Sequence, residues 1–272
     1  MNENKYPLIS LPSDPRIRAL RDLQTPNGRS NTGKYLIEGI RHVARACEEQ
    51  VQIDLLFVDP SALSNPFGQK LVRHIRQNGV PAIRLAPKVY REITRASEPQ
   101  GIGAVLRQRW FSVDELRPER NSLWLAVESV DQPGNLGTII RTAEAAGASG
   151  IFLLGQGADP LDPACLRATM GAFFSQKLVP CSTWEFARWA RLHNVAIVGS
   201  SPQGLMNYRD FRCRWPAVLL VGSERQGLSQ QLIDTTDFVV RIPMHGRSDS
   251  INAAVAAGIL LFELSSRRKR DK

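Results

Sequence analysis

The chain has 272 residues, of which 43% are hydrophobic and 22% charged, enough apolar material for one large or two ordinary cores and too much for a disordered chain. Its formal net charge of +9 suits a protein that meets a polyanion, and equally a basic enzyme that merely stays soluble. Its four cysteines, Cys47, Cys165, Cys181 and Cys213, are widely spaced without a C-x-x-C pair, which excludes a zinc knuckle and a small disulfide scaffold.

Residues 1–33 read as an N-terminal extension. MNENKYPLIS lacks the charged-then-apolar layout of a signal peptide. No apolar run anywhere reaches the roughly 18 residues of a membrane span, so the cytoplasm is the expected location. DPRIRALRDL predicts a short helix and QTPNGRSNTG a loop. In 34–107, KYLIEGIRHVARACEE reads as a strand end, a glycine turn and an amphipathic helix. IDLLFVDP is a buried strand, GQKLVRHIRQNG a helix with a glycine stop, PAIRLAPKVYREITRA a strand then a helix, and GIGAVLRQ a closing strand. Alternating strands and helices define a small α/β domain with its own core.

Residues 108–121, QRWFSVDELRPERN, break the periodicity with many charges and read as a linker. The second domain, 122–272, then alternates again. SLWLAVES, GIFLLG, KLVPC, VAIVGSS, AVLLVGSE and FVVRIP are strands; NLGTIIRTAEAAG, CLRATMGAFF and TWEFARWARLHN are helices. An apolar helix from Asn252 closes the chain, followed by RRKRDK, read as a solvated tail in preference to a contact with nucleic acid. The strands are continuous apolar runs, so the sheet is expected to be mostly parallel and covered on both faces. There is no internal repeat.

Polar residues collect at three strand ends of this second domain. In ESVDQPGNLGTIIRTAEAAG, Asn135 is placed to cap a helix, and Arg141 sits one to two turns in among small and apolar neighbours. Such an arginine needs a partner, either Glu144 at i+3 or a phosphate. The PGNLG stretch lacks the G-x-G-x-x-G spacing of a dinucleotide site, which argues against a nucleotide-binding oxidoreductase. In LLVGSERQGLS, Glu224 directly follows a buried strand, as a helix-terminal charge or a ligand contact. In VVRIPMHGRSDSIN, Arg247, Ser248, Asp249, Ser250 and Asn252 crowd the entrance of the last helix. One capping residue would suffice there. Three such loops at carboxyl ends of strands can build one ligand pocket.

These motifs, NLGTIIRTAEAAG, LLVGSERQGLS and IPMHGRSDSINAAVAAGILLFE, resemble in order and spacing those of the SpoU (TrmH-like) 2′-O-ribose RNA methyltransferases of the SPOUT superfamily. The resemblance covers about residues 122–265. Residues 34–107 are similar, more loosely, to that family's ribosomal-protein-like RNA-binding domain. The resemblance implies an α/β fold with a trefoil knot, S-adenosylmethionine as methyl donor without a metal, RNA as substrate and a homodimer. The extra N-terminal domain favours ribosomal over transfer RNA. By motif match, Asn135, Arg141, Glu224, Ser250 and Asn252 are the catalytic set. Gly222, Ile242 and Ile251 would contact the adenosyl group through their backbones, with Met244 and Gly246 flanking it. Of the four histidines only His245 lies in a motif.

The sequence departs from the family pattern at four places. Gln132-Pro133 stands for Asp-Pro, Arg225 follows the motif-two Glu, Ile251 replaces Leu, and Ala254 stands where Ser is frequent. On the mechanism, a guanidinium stays protonated far above neutral pH, so Arg141 is read as gripping the adjacent phosphate rather than acting as the base. A protein of the same fold that binds or chaperones RNA without catalysis is the alternative; the intact polar set speaks against it.

Overall fold

The computed structural model describes residues 6–268; most of the RRKRDK tail lies outside them. The chain forms two compact units. One comprises the described residues up to Arg109 together with Leu161–Phe174; the other comprises Trp110–Pro160 and the described residues from Ser175 onward.

The first unit runs β1 (Leu8–Ile9), α1 (Pro15–Asp22), α2 (Pro26–Thr32), β2 (Lys34–Glu38), α3 (Ile40–Glu48), β3 (Ile53–Val58), α4 (Pro66–Gln77), β4 (Ala82–Leu85), α5 (Pro87–Ile93) and β5 (Ile102–Arg107). Its sheet is mixed, in the order β1-β4-β3-β5-β2, with β5 antiparallel to both β2 and β3. The stretch expected to be a loop before β2 is instead the helix α2. The Thr25 hydroxyl caps it by accepting from the Gly28 N–H at 3.0 Å, Pro26 opens it, and Gly33 closes it at φ 63°. Arg29 is drawn inside, 2% exposed, and donates to the Leu23 carbonyl at 3.2 Å.

The second unit continues with β6 (Leu123–Glu128), α6 (Pro133–Ala145) and β7 (Ala148–Leu154). The chain then contributes α7 (Pro163–Thr169) to the first unit. There Leu161 and Leu166 join the core of Tyr35, Val43 and Leu106, and the His42 ring bonds the Leu166 carbonyl at 3.1 Å. The helix expected over CLRATMGAFF therefore ends at Met170, in the left-handed region at φ 53°, and belongs to the first unit. Back in the second unit follow β8 (Leu178–Cys181), α8 (Thr183–Leu192), β9 (Ala196–Ser200), β10 (Met206–Asn207), β11 (Ala217–Val221), α9 (Gln230–Ile233), β12 (Phe238–Arg241) and α10 (Ala253–Arg267).

All seven strands of this sheet are parallel, in the order β10-β12-β9-β11-β6-β7-β8. One face carries an aromatic core of Trp124, Phe152, Phe186 and Trp189, with ring centroids 4.7–5.6 Å apart. α6 and α10 pack on each other, and α10 lies against β11. The charged stretch expected as a linker is anchored from Trp110 onward. Ser112 and Glu115 form a capping box, Leu116 is buried in the aromatic core, and its carbonyl accepts from Trp189 Nε1 at 3.3 Å. The chain order reverses between β6 and β11, which places their carboxyl ends, Glu128 and Val221, side by side at the switch point.

Candidate active site

The switch point joins the three polar motifs. Asn135 Nδ2 donates to Glu224 Oε1 at 2.7 Å, and the Asp131 backbone N–H approaches Glu224 Oε2 at 3.4 Å. Asn252 Nδ2 donates to Asn135 Oδ1 at 3.1 Å. Asn252 Oδ1 accepts from the Ala254 and Val255 N–H groups at 2.9 and 3.3 Å, capping α10. The polarity of this chain is fixed at both ends. An ionised carboxylate only accepts and helix N–H groups only donate, so the two amides between them can be oriented in one way. Asn135 does not cap α6, as its sequence position suggested. Gln132 and Pro133 occupy the start, and Asn135 lies inside the first turn with its side chain free to reach across.

The Glu224 loop is held in shape by its own backbone. Ser223 and Gly227 exchange N–H···O bonds of 3.1 Å in both directions, and Gly227 takes φ 68°. Gly222 has no room for a side chain, since a Cβ there would stand 2.1 Å from the Gly227 carbonyl carbon. Glu128 Oε2, at the end of β6, accepts the Ser229 N–H at 2.7 Å and ties down the far end of the same segment.

Beside this chain opens a cleft of about 1110 Å³, its mouth included, over the ends of β9, β11 and β12. Gly222, Glu224, Ile242, Met244, Ser250 and Ile251 line it. Gly246 does not, and neither does His245. Among the described residues Ser250 Oγ approaches Asp249 Oδ1, at 3.4 Å, and stands apart from the Glu224–Asn135–Asn252 chain. Arg141 is exposed on α6 and takes no ion pair or hydrogen bond among the described residues, so the i+3 pairing with Glu144 is not formed. Sequence reasoning missed a fourth strand-end loop. Ser200 at the end of β9 and Ser201 and Gln203 after it also line the cleft, and Ser201 Oγ donates to Gln203 Oε1 at 2.7 Å. The signal was present, because VAIVGSSPQG ends an apolar strand in small and polar residues as the other motifs do.

A seven-stranded parallel sheet with its polar cluster at the switch point places the chain in the class of α/β proteins that bind ligands at the carboxyl ends of their strands. Residues 122–262 match the SpoU rRNA Methylase family, and the chain belongs to that family. Residues 14–104 match the MRM3-like substrate binding domain. The chain is 31% identical to the 23S rRNA (uridine(2479)-2′-O)-methyltransferase of Streptomyces viridochromogenes, over 89% of this chain and 86% of that protein. It is 27% identical to the 23S rRNA (guanosine(2553)-2′-O)-methyltransferase RlmP of Bacillus subtilis, over 92% and 95%. The AdoMet-bound rRNA methyltransferase from Sinorhizobium meliloti superposes with a TM-score of 0.88 at 33% identity, over 97% of this chain and 98% of that one.

Proposed function

We propose that this chain transfers a methyl group from S-adenosylmethionine to a ribose 2′-hydroxyl of structured RNA, ribosomal RNA in the first place, as a cytoplasmic homodimer. The observation that carries the reading is the Glu224–Asn135–Asn252 chain bordering a cleft at the carboxyl ends of parallel strands. The cleft fits the donor: Ile242, Met244 and Leu260 give it an apolar side, and Ser200, Ser201 and Gln203 a polar one. Gly222, Ile242 and Ile251 would hold the adenosyl group through their backbones, Met244 beside it; Gly246 would approach it only from outside the cleft lining. When bound, S-adenosylmethionine supplies a methyl group already activated by its positive sulfur.

The protein's task is then to place a poor nucleophile in line and ease loss of its proton. Positioning by Asn135, Glu224, Ser250 and Asn252 supplies several kcal/mol, in the way of other well-oriented reactants. Arg141, exposed on α6, grips the RNA phosphate next to the target ribose with its planar fork. That phosphate oxygen, or a water held by it, takes the 2′ proton while the guanidinium stabilises the developing charge.

The homodimer reading rests on α10. Ile251 at its entrance and Val255 and Phe262 along it are 37%, 53% and 54% exposed, at spacings of four and seven that keep the last two near one face. The same reading threads α10 through a trefoil knot. It also makes the basic first unit the RNA-binding part, since residues 1–107 hold 16 Lys and Arg against 10 Asp and Glu. The reading is tested by incubating the full chain with labelled S-adenosylmethionine and an unmodified ribosomal RNA transcript, then mapping 2′-O-methyl sites. Label transfer to one 2′-oxygen is expected; a chain that binds the donor and methylates no RNA would favour the non-catalytic RNA-binding alternative.

A further inference from the structure

The cleft described above occupies only half of the sheet's carboxyl edge. A second cleft, of about 980 Å³ with its mouth included, opens over the ends of β6, β7 and β8 in the same unit. Trp110, Val130, Leu136, Leu153, Gln156 and Gly157 are among its walls. The two clefts share a partition. Val130 and Leu136 face the second cleft, while their neighbours Asp131 and Asn135 hold Glu224 at the first.

The second cleft is built rather than incidental. The 155–160 loop is pinned to the β6–α6 loop by the Ala158 N–H to the Val130 carbonyl at 2.8 Å, and Ser129 N–H reaches the Leu154 carbonyl at 3.1 Å. Gly157 is pressed onto Val130, where a Cβ would lie 2.9 Å from the Val130 carbonyl oxygen. Ser129 is held at φ 51°, a conformation seldom adopted by a non-glycine residue without compensation from its surroundings. Trp110, 38% exposed, and the exposed Gln156, whose amide both donates and accepts, line the same cleft.

We propose that this second cleft is a nucleobase subsite. In it Trp110 stacks on an unpaired base of the RNA at or next to the methylated nucleotide, and Gln156 addresses the base edge. The inference rests on the reading of the chain as an RNA methyltransferase. A two-substrate transfer needs a second recess beside the donor's, and the partition of Asp131 and Asn135 puts this one in place. RNA offers that recess what it fits: single-stranded bases are recognised by stacking on aromatic side chains and by hydrogen bonds to their edges. The recess has a mostly apolar lining around one indole and one amide, with Ser129 and Asp159 as its other polar side chains and no lysine or arginine among them. Such a lining suits a flat heterocycle better than a phosphate, which would need cations.

The test compares the full chain with Trp110→Ala and Trp110→Phe, using an unmodified ribosomal RNA transcript and S-adenosylmethionine. Loss of one stacking contact predicts that Trp110→Ala raises KM for the transcript roughly five- to a hundredfold. Trp110→Phe should recover most of that, and the donor's Kd by calorimetry and the melting temperature should be unchanged in both. Gln156→Ala should raise KM less. Equal KM for wild type and Trp110→Ala overturns the subsite, as does a Trp110→Ala effect that falls equally on melting temperature and donor Kd. If the wild-type chain binds the donor and methylates no ribosomal RNA, the function itself is wrong and the subsite falls with it.

Discussion

Asn135 Nδ2 lies 2.7 Å from Glu224 Oε1, a hydrogen bond between residues 89 positions apart that closes the polar line from the β11 end to the start of α10. Because Glu224 can only accept, Asn135 must turn its amide nitrogen toward it and its oxygen toward Asn252. Asn135→Asp replaces the donor by a second carboxylate and sets like charges against each other. Hydrogen bonds to charged groups contribute about 1.5–3 kcal/mol, and partial exposure puts this one at the low end, so methyl transfer should fall about tenfold or more. The measurement is single-turnover transfer with donor affinity determined in parallel; a variant that turns over at the wild-type rate removes Asn135 from the site.

Asn252 has two separable duties, and two substitutions separate them. Asn252→Ala removes the cap of α10 and the bond to Asn135, and should cost about 1 kcal/mol of stability as well as activity. Asn252→Asp keeps an acceptor for the Ala254 and Val255 N–H groups and places a negative charge at the helix N-terminus, where it is favourable. It loses the donor to Asn135. The Asp variant is expected to melt at or above the wild-type temperature and still transfer poorly. Good activity in it would mean that only the cap matters.

Arg141→Ala should nearly abolish methyl transfer while S-adenosylmethionine binds as before, because Arg141 lies outside the cleft lining. Arg141→Lys should rescue little, since a point charge does not reproduce a planar bidentate fork. Its side chain is exposed, so neither change should lower the melting temperature by more than a surface substitution does. Substantial activity in the Lys variant argues for simple charge attraction instead of a positioned fork.

The pH dependence of stability should carry a signature of His42. Burial holds its pKa below the usual 6.5, with the charges of Arg41 and Arg167 acting the same way. The unfolded chain therefore binds the proton more readily than the folded one, and the stabilising contribution present above about pH 6.5 is lost as pH falls through the depressed folded value. Glu38 works oppositely. Burial raises its pKa, so its contribution is present at low pH and fades as pH rises above about 4.5. His42→Gln, which can still donate to the Leu166 carbonyl, should narrow the loss of stability between pH 7 and 5. Denaturant midpoints of the two proteins that run parallel across that range would contradict the assignment.

Association is the remaining consequence of the exposed α10 side chains. Phe262→Glu should convert a species of twice the chain mass into one of about 30 kDa by light scattering, as burying a charge in an apolar contact is costly. Wild-type protein that is already monomeric at micromolar concentration would remove the homodimer from the reading.

The alternation of strands and helices, the parallel character of the second sheet and the identity of the polar motifs were legible in the sequence, because each depends on local periodicity or on residues close along the chain. The helix start at Asn252 was legible for the same reason. The helix α2 was missed although Thr25-Pro26 announced it, since Gly28 and a run of small polar residues outweighed the cap. What no local pattern could give was partnership across the chain. Leu161–Phe174 sits between two strands of the second unit in sequence, yet its apolar side chains complete the core around Tyr35 and Leu106. Leu116, in a charged stretch, is buried because Trp189 comes back to it 73 residues later. Asn135, Glu224 and Asn252 were named from their motifs, but which of them touch, and that Arg141 and Ser250 stand apart, follows only from the strand order. Sequence fixes what each strand end carries; only the placing of β11 beside β6 brings a carboxylate, two amides and a helix N-terminus within hydrogen-bond reach.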